Sequence, residues 1–332
     1  LDPTFITGGI IKSFASNAKL GTGEYLIVEA DESDKSFLML QPSLEIITNI
    51  DNDHLSNYGN DINNLESAFL EFVKKLPFNG LLVACGDDPI IQKLYPSFAR
   101  KTILYGFKAK NDYIIRNYKA LGLTSEFTLS NNEGHTFNIK LNLSGRHNVL
   151  NATASSVLAL EEGIPILNIQ SALGKFSGIN RRMQFLGKLN KSSIIDDYGH
   201  HPTEIRNTVI AIRESFPKEK ITMVFQPHRF SRTKELYEEF VEVLQLVDEL
   251  ILLEIYPAGE NPIKEISSSN LLNNIKVKGL KKAELAGSEA EAIKLIGSSL
   301  SKQRGILLIQ GAGSISEISE KLIKKMNKHD RY

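Results

Sequence analysis

The chain has 332 residues, enough for about two domains with a sizeable core. Its 39 Lys and Arg balance 39 Asp and Glu, so no overall basic field points to nucleic acid and no acidic tail marks a solvating segment. The single Cys85 excludes an internal disulfide framework and a cysteine-based zinc site, and no apolar run is long enough to span a bilayer, so a cytoplasmic, substrate-handling enzyme is the expectation.

Residues 25–30 read as a buried-type strand ending in Glu29-Ala-Asp-Glu-Ser-Asp34, and residues 45–50 as a second ending in Asp51-Asn-Asp-His54. Two strands would then deliver carboxylates and an imidazole to one sheet edge. Hard cations such as Mg²⁺ take carboxylate oxygens there, keep several waters and are completed by substrate phosphates. Glu29 and His54 are the candidate ligands, with Glu32 and Asp53 as rivals, although acidic turns after strands also serve as simple polar caps.

Leu65, Phe69, Phe72 and Leu76 recur at helical spacing, and Pro77-Phe-Asn-Gly80 ends that helix. Residues 81–84 and 102–105 read as short strands, and the alternation over 136–141 as an exposed antiparallel ribbon appended to the α/β unit. Gly145-Arg-His-Asn-Val-Leu-Asn151 opens a long helix. Asn148 and Asn151, three apart, share a face where an amide can pair with a nucleobase edge, or Asn148 simply caps the helix.

A domain boundary is expected within 163–187, where the paired Arg181-Arg182 either clamps phosphate by bidentate bonds or lies in a solvated linker. Beyond it, strands at 193–196, 221–225, 249–254 and 305–310 alternate with helices near 203–214, 234–247, 289–299 and 314–324, which makes a second, doubly wound domain. Its densest stretch is Ser193-Ile-Ile-Asp-Asp-Tyr-Gly-His-His-Pro-Thr-Glu204. Carboxylates and imidazoles at a strand's carboxyl end offer proton transfer, metal contact or phosphate contact. Phe225-Gln-Pro-His-Arg-Phe-Ser-Arg-Thr233 puts His228, Arg229 and Arg232 just before a helix, where cations gain nothing from the positive N-terminus and an anionic ligand would justify them. In Gln310-Gly-Ala-Gly-Ser-Ile315 the third glycine of a dinucleotide turn is Ser316, so close helix-to-strand packing explains Gly311 and Gly313 better.

The set Glu29-Ala-Asp-Glu-Ser-Asp34, Thr48-Asn-Ile with Asp53-His54, Gly145-Arg-His-Asn148 with Asn151, Arg181-Arg182, Asp196-Asp-Tyr-Gly-His-His-Pro202 and 225–233 resembles the Mur ligases over essentially the whole chain. The resemblance implies a P-loop-type central ATPase domain with a β appendage over 1–178, then a Rossmann-like, doubly wound C-terminal domain over 179–332. Family members begin with a UDP-binding domain and a Gly-x-x-Gly-Lys-Thr loop. Neither Gly174-Lys175 nor Gly187-Lys188 continues to Ser or Thr, so the chain is expected to be N-terminally incomplete and, alone, an inactive fragment.

By the same resemblance the protein is an ATP- and Mg²⁺-dependent, amide-forming ligase of peptidoglycan synthesis that works through an acyl phosphate. Glu29 and His54 would hold Mg²⁺, with Glu32 still a rival. His147, Asn148 and Asn151 match the adenine-contacting segment, and Arg182 and Asp197 match positions that reach the nucleotide. His228, Arg229 and Arg232 match the segment near the incoming amino acid. His200 is shared widely among these ligases and completes the expected catalytic set with Asp197 and Arg182, while His201 looks particular to one branch and is placed with the substrate-binding residues. Gln226-Pro-His-Arg229 favours the branch that joins L-alanine to UDP-N-acetylmuramate over the branch that takes a murein tripeptide. A nucleotide-binding fragment without turnover is the alternative from another class. Neither nucleic acid nor membrane insertion is expected.

Overall fold

The computed structural model describes residues 1–300 and 304–329. The chain divides into two compact units, Leu1–Gly178 and Ile179–Tyr332.

The first unit opens with β1 (Thr4–Ile11), β2 (Ser16–Lys19) and β3 (Leu26–Val28), which form a three-stranded sheet in the order β2-β1-β3. Then come β4 (Leu44–Ile47), α1 (Ile62–Lys75), β5 (Leu81–Cys85), α2 (Pro89–Leu94), β6 (Lys101–Gly106), β7 (Tyr113–Leu121), β8 (Thr124–Asn131), β9 (Thr136–Leu141), α3 (Arg146–Glu161) and α4 (Ile166–Lys175). Strands β4 to β9 lie side by side in chain order, the first four parallel and the last two antiparallel. The expected ribbon is therefore no detached appendage. It extends the parallel sheet, and Phe127, Leu129, Ile139 and Leu141 are buried in the same core as β5 and α3.

The helix expected from Leu65 starts three residues earlier, because Asp61 caps it by accepting from the Asn63 N–H. The larger correction concerns the strand over 25–30. It is shorter and it is not buried: Leu26, Ile27 and Val28 are 61%, 54% and 37% exposed. Three consecutive apolar residues predict cover on both faces, but β3 pairs in parallel with β1 in the small sheet instead of joining β4. Its faces are thus outside the six-stranded core, and β1 likewise exposes Ile6 and Ile10.

The second unit holds β10 (Gln184–Leu189), β11 (Ser192–Asp197), α5 (Pro202–Ser215), β12 (Lys220–Phe225), α6 (Phe230–Glu235), α7 (Tyr237–Val243), β13 (Glu249–Leu253), α8 (Ser268–Val277), β14 (Ala283–Ala286), α9 (Glu289–Leu300), β15 (Gly305–Gln310) and α10 (Ser316–His329). The sheet order is β10-β11-β15-β12-β13-β14, parallel except for the edge strand β10. All six residues of β15 are buried, as befits a central parallel strand read as a continuous apolar run. The single helix expected over 234–247 is broken into α6, α7 and a 3₁₀ turn at Leu244–Leu246, with Leu236 as the joint. Because β15 inserts between β11 and β12, the carboxyl ends of these three strands meet where the winding reverses, the place where open α/β sheets bind ligands.

Candidate active site

In the second unit, β11 delivers Asp196 and Asp197, β15 delivers Gln310 and β12 leads into Gln226 and His228. Asp197 is 4% exposed and accepts four hydrogen bonds: from Met183 N–H at 2.9 Å, Gly199 N–H at 2.9 Å, Gln310 Nε2–H at 2.9 Å and the Thr208 hydroxyl at 3.3 Å. The carboxylate is consumed in tying three elements together, so Asp197 positions the loop that follows it. A Cβ on Gly199 would lie 2.6 Å from Asp197 Oδ1 and 2.7 Å from Gln310 Nε2, so only glycine lets the chain pass here.

Asp196 is equally buried and faces Arg181, whose Nε lies 3.5 Å from Oδ2. Burial pushes its carboxyl up, and Arg181 opposes the shift. Arg181 also donates to the Gly311 carbonyl at 2.5 Å, which makes it a structural brace. Arg182 is the open member of the pair: its guanidinium is half exposed, bonds Glu204 Oε1 at 3.0 Å and, with that of Arg181, lies near the ring of Tyr198.

Glu204 is the residue that pattern reading missed. Its Oε2 accepts the N–H groups of His200 at 2.8 Å and His201 at 3.1 Å, while Oε1 takes Arg182. Burial pushes this carboxyl up, but His200, Arg182 and the His200 N–H outweigh it and hold it down at about 2. The signal lay in the sequence as a capping-box spacing, with His201 at the N-cap and Glu204 three residues on. His201 is correspondingly an architectural residue. It is 7% exposed, its Nδ1 accepts from Thr203 N–H at 3.3 Å, and its buried Nε2 has no hydrogen-bond partner.

His200 is placed differently. Its ring lies 5.4 Å from that of His228, which in turn stacks on Tyr256. Burial, then the charges of His200, Arg232 and Arg229, push the His228 imidazole down to about 4, so it is neutral at pH 7. Positive charge is therefore carried by the guanidiniums. Arg232 is the third residue of the six-residue α6, inside the helix and not before it. Arg229 precedes the helix at φ 70°, a strained setting for a non-glycine residue. Gly311 and Gly313 do serve packing, but against the loops after β12 and β13 and not between helix and strand: a Cβ on Gly313 would meet Gln226 Oε1 at 2.5 Å and Tyr256 Cγ at 2.7 Å.

In the first unit the Glu29 and His54 loops do not extend one sheet edge, since β3 and β4 belong to different sheets. They are joined otherwise: Asn57 Nδ2–H donates to the Ser33 carbonyl at 2.5 Å, and the Tyr58 hydroxyl donates to the Glu32 carbonyl at 2.6 Å. Glu29 Oε2 accepts from Gly8 N–H at 2.6 Å, His54 takes the left-handed conformation at φ 57°, and its Nε2 lies 3.5 Å from Asp53 Oδ2. Among the described residues no group of three or more His, Cys, Asp or Glu side chains is placed to hold a metal ion alone. Of these groups the exposed Glu29 carboxylate is the kind of ligand that Mg²⁺ takes, with waters and phosphate oxygens filling the rest of its shell. At the start of α3, Gly145 and not Asn148 is the N-cap; Asn148 Nδ2–H turns back to the Ser144 carbonyl at 2.7 Å. His147 is half-buried and Asn151 exposed in the same two turns, beside Arg146, whose guanidinium lies over Phe107 and Tyr118.

Comparison with known proteins gives two family matches, the Mur ligase middle domain over residues 9–159 and the Mur ligase glutamate ligase domain over residues 181–313. The chain is 46% identical over 331 residues to the UDP-N-acetylmuramate–L-alanine ligase of Baumannia cicadellinicola, covering 97% of this chain and 67% of that protein. Among solved structures it resembles the UDP-N-acetylmuramate-alanine ligase MurC of Thermotoga maritima, with a TM-score of 0.81, 30% identity, and cover of 99% of this chain and 70% of that one. The murein peptide ligase of Psychrobacter arcticus shares the fold, with a TM-score of 0.65 at 21% identity over 97% of this chain and 71% of that one.

Proposed function

The chain belongs to the Mur ligase family, and on that premise we propose that it serves the ATP-dependent joining of L-alanine to the lactyl carboxylate of UDP-N-acetylmuramate, in the cytoplasm, for peptidoglycan synthesis. The observation that carries this reading is the array at the carboxyl ends of β11, β12 and β15, where the neutral His228, His200 and the guanidiniums of Arg182, Arg229 and Arg232 gather around a rigid buried frame. Guanidiniums suit anionic substrates because they offer bidentate donors to carboxylate and phosphate. The 46% identity to an L-alanine ligase favours alanine over a murein tripeptide.

A carboxylate resists attack by an amine because it is already anionic. Transfer of the γ-phosphoryl group of ATP to a lactyl oxygen gives an acyl phosphate and ADP. The neutral amine of L-alanine then attacks the acyl carbon, and the tetrahedral intermediate collapses to the amide, expelling phosphate as the amine loses its proton. Bound Mg²⁺ supplies charge neutralisation on the phosphate oxygens, and Glu29 and His54 are the residues that would hold it. Arg182, kept extended by Glu204, offers bidentate donors to a phosphoryl group, and Arg229 and Arg232 offer the same to the alanine carboxylate. The amides of Asn148 and Asn151, with His147, are the groups that would contact the nucleotide. Asp197 and His201 act indirectly, by fixing the turn that presents His200.

The test is phosphate release by the full-length protein. It should require ATP, UDP-N-acetylmuramate, L-alanine and Mg²⁺ together, with a tripeptide substituting poorly. Faster turnover with the tripeptide than with alanine would transfer the protein to the murein peptide branch.

A further inference from the structure

Beyond the ends of β12 and β13 the two segments pair once more. Tyr256 N–H donates to the Pro227 carbonyl at 2.8 Å, Arg229 N–H donates to the Tyr256 carbonyl at 2.8 Å, and His228 and Tyr256 form a parallel bridge. Their rings stack, with centroids 5.5 Å apart and planes 14° from parallel. Ala258 at φ 47° and Gly259 at φ 86° then turn the chain back, so that the Glu260 carboxylate reaches the start of α6. There it accepts from the Ser231 N–H at 2.9 Å and the Ser231 hydroxyl at 2.6 Å. Burial pushes the Glu260 carboxyl up, but the Ser231 bonds and the Arg229 charge hold it below the usual carboxylate range.

This strap of residues 256–260 contributes little to the core, since Tyr256, Pro257 and Gly259 are exposed and Ala258 and Glu260 half-buried. What it holds is strained. A non-glycine residue at positive φ costs about 1–3 kcal/mol and persists only where its surroundings over-determine it. For Arg229 those surroundings are the Tyr256 carbonyl on one side and, on the other, Thr233, whose hydroxyl donates to the Arg229 carbonyl at 2.8 Å. The strain therefore fixes the direction in which Arg229 and His228 leave the backbone, next to the anion-suited array.

The geometry points to residues 256–260 as the element that sets recognition of the incoming amino acid, with Tyr256 and Glu260 as positioning residues that aim His228 and Arg229 without touching substrate. This role rests on the ligase reading above. A small α-amino acid offers few contacts besides its carboxylate, so its affinity depends on where the guanidinium is held. Glu260 does this by anchoring Ser231, two residues after Arg229, and Tyr256 does it through its carbonyl and its ring.

Steady-state kinetics and hydrogen exchange on the full-length protein test the assignment. Glu260→Ala should raise KM for L-alanine about tenfold or more, the loss of one charge-assisted contact's alignment, while kcat and KM for ATP stay within about twofold. Glu260→Gln, which retains an acceptor for Ser231, should fall between wild type and Glu260→Ala. Tyr256→Phe, which keeps ring and carbonyl, should leave KM unchanged, whereas Tyr256→Leu should raise it. The Ser231 amide should lose protection in Glu260→Ala. An unchanged KM for alanine, or kcat and both KM values moving together as in a general loss of structure, would overturn the role of the strap. Wild-type protein that releases no phosphate in an alanine-dependent way would overturn the ligase reading and this role with it, an outcome distinct from active wild type with unaffected variants.

Discussion

The two units place chemistry at strand ends by opposite means. In the second, the groups that shape the site are tied into hydrogen-bond networks: buried Asp197 binds four donors, half-buried Glu204 binds three and buried Gln226 holds the Ile315 N–H at 2.9 Å. In the first, Glu29 is exposed, His54 is half-buried, and the strand leading to Glu29 lies on a three-stranded sheet with apolar residues facing outward. A buried polar network makes function and stability inseparable, because each partner removed leaves another buried group unmet. Side chains that keep contact with water, such as Glu29 and His54, leave them separable.

Hydrogen exchange should expose this contrast most strongly. Amides of β12 and β15 lie in the centre of a closed core and should exchange only on global unfolding, whereas those of β1 and β3 need only a local opening. With global stability of about 5–15 kcal/mol, protection in Met223, Val224, Leu307 and Leu308 should exceed that in Ile6 and Ile27 by roughly three orders of magnitude or more. Equal protection in the two sheets would remove the distinction.

Asp197→Ala should produce the next largest effect. It strands the N–H groups of Met183 and Gly199, the Thr208 hydroxyl and the Gln310 amide, and such losses should sum to about 3–5 kcal/mol of stability. Asp197→Asn keeps one acceptor and should lose less. Urea unfolding reads both changes, and a loss under about 1 kcal/mol for the alanine variant would show that the network relaxes with little penalty.

Strands β11, β12, β13 and β15 of the second sheet were readable because they are continuous apolar runs between clear helical patterns, and the same holds for β5 and β6; the edge strands β10 and β14, whose sequences QFLGKL and AELA are not such runs, were not read. The errors have physical causes. Residues 26–28 look like a buried strand because pattern records apolarity, not what packs against it, and here β3 pairs with β1 outside the main core. Residues 234–247 look like one helix because Leu236 interrupts the backbone without interrupting the hydrophobic period. At the candidate site, the dense Asp-Asp and His-His runs singled out a loop without revealing the division of labour within it. Adjacent residues point in different directions, so of two carboxylates and two imidazoles only His200 shares the array with His228, while Asp196, Asp197 and His201 turn inward. Glu260 could not be found from local pattern at all, since its partner Ser231 lies 29 residues earlier and meets it only through the turn at Ala258 and Gly259.

The smallest expected change in stability belongs to the first unit, and it is the sharper half of the comparison. Glu29 accepts one hydrogen bond, from Gly8 N–H, in an exposed setting where water can replace it. Glu29→Ala should therefore shift unfolding by no more than about 0.5 kcal/mol, the range of surface substitutions away from buried features. His54→Gln should be more costly than that only to the extent that the left-handed backbone at φ 57° resists the change. Function should respond very differently. If these two side chains hold Mg²⁺, each variant should need a higher Mg²⁺ concentration for half-maximal phosphate release, and excess Mg²⁺ should recover part of the rate, because mass action offsets a weakened site. Magnesium titrations of turnover beside urea unfolding of the same variants separate the two effects. A variant with unchanged Mg²⁺ dependence removes that residue from the metal site and brings forward its neighbour, Glu32 or Asp53. A variant that loses several kcal/mol of stability would instead mean that the first unit, like the second, builds its ligands into its core.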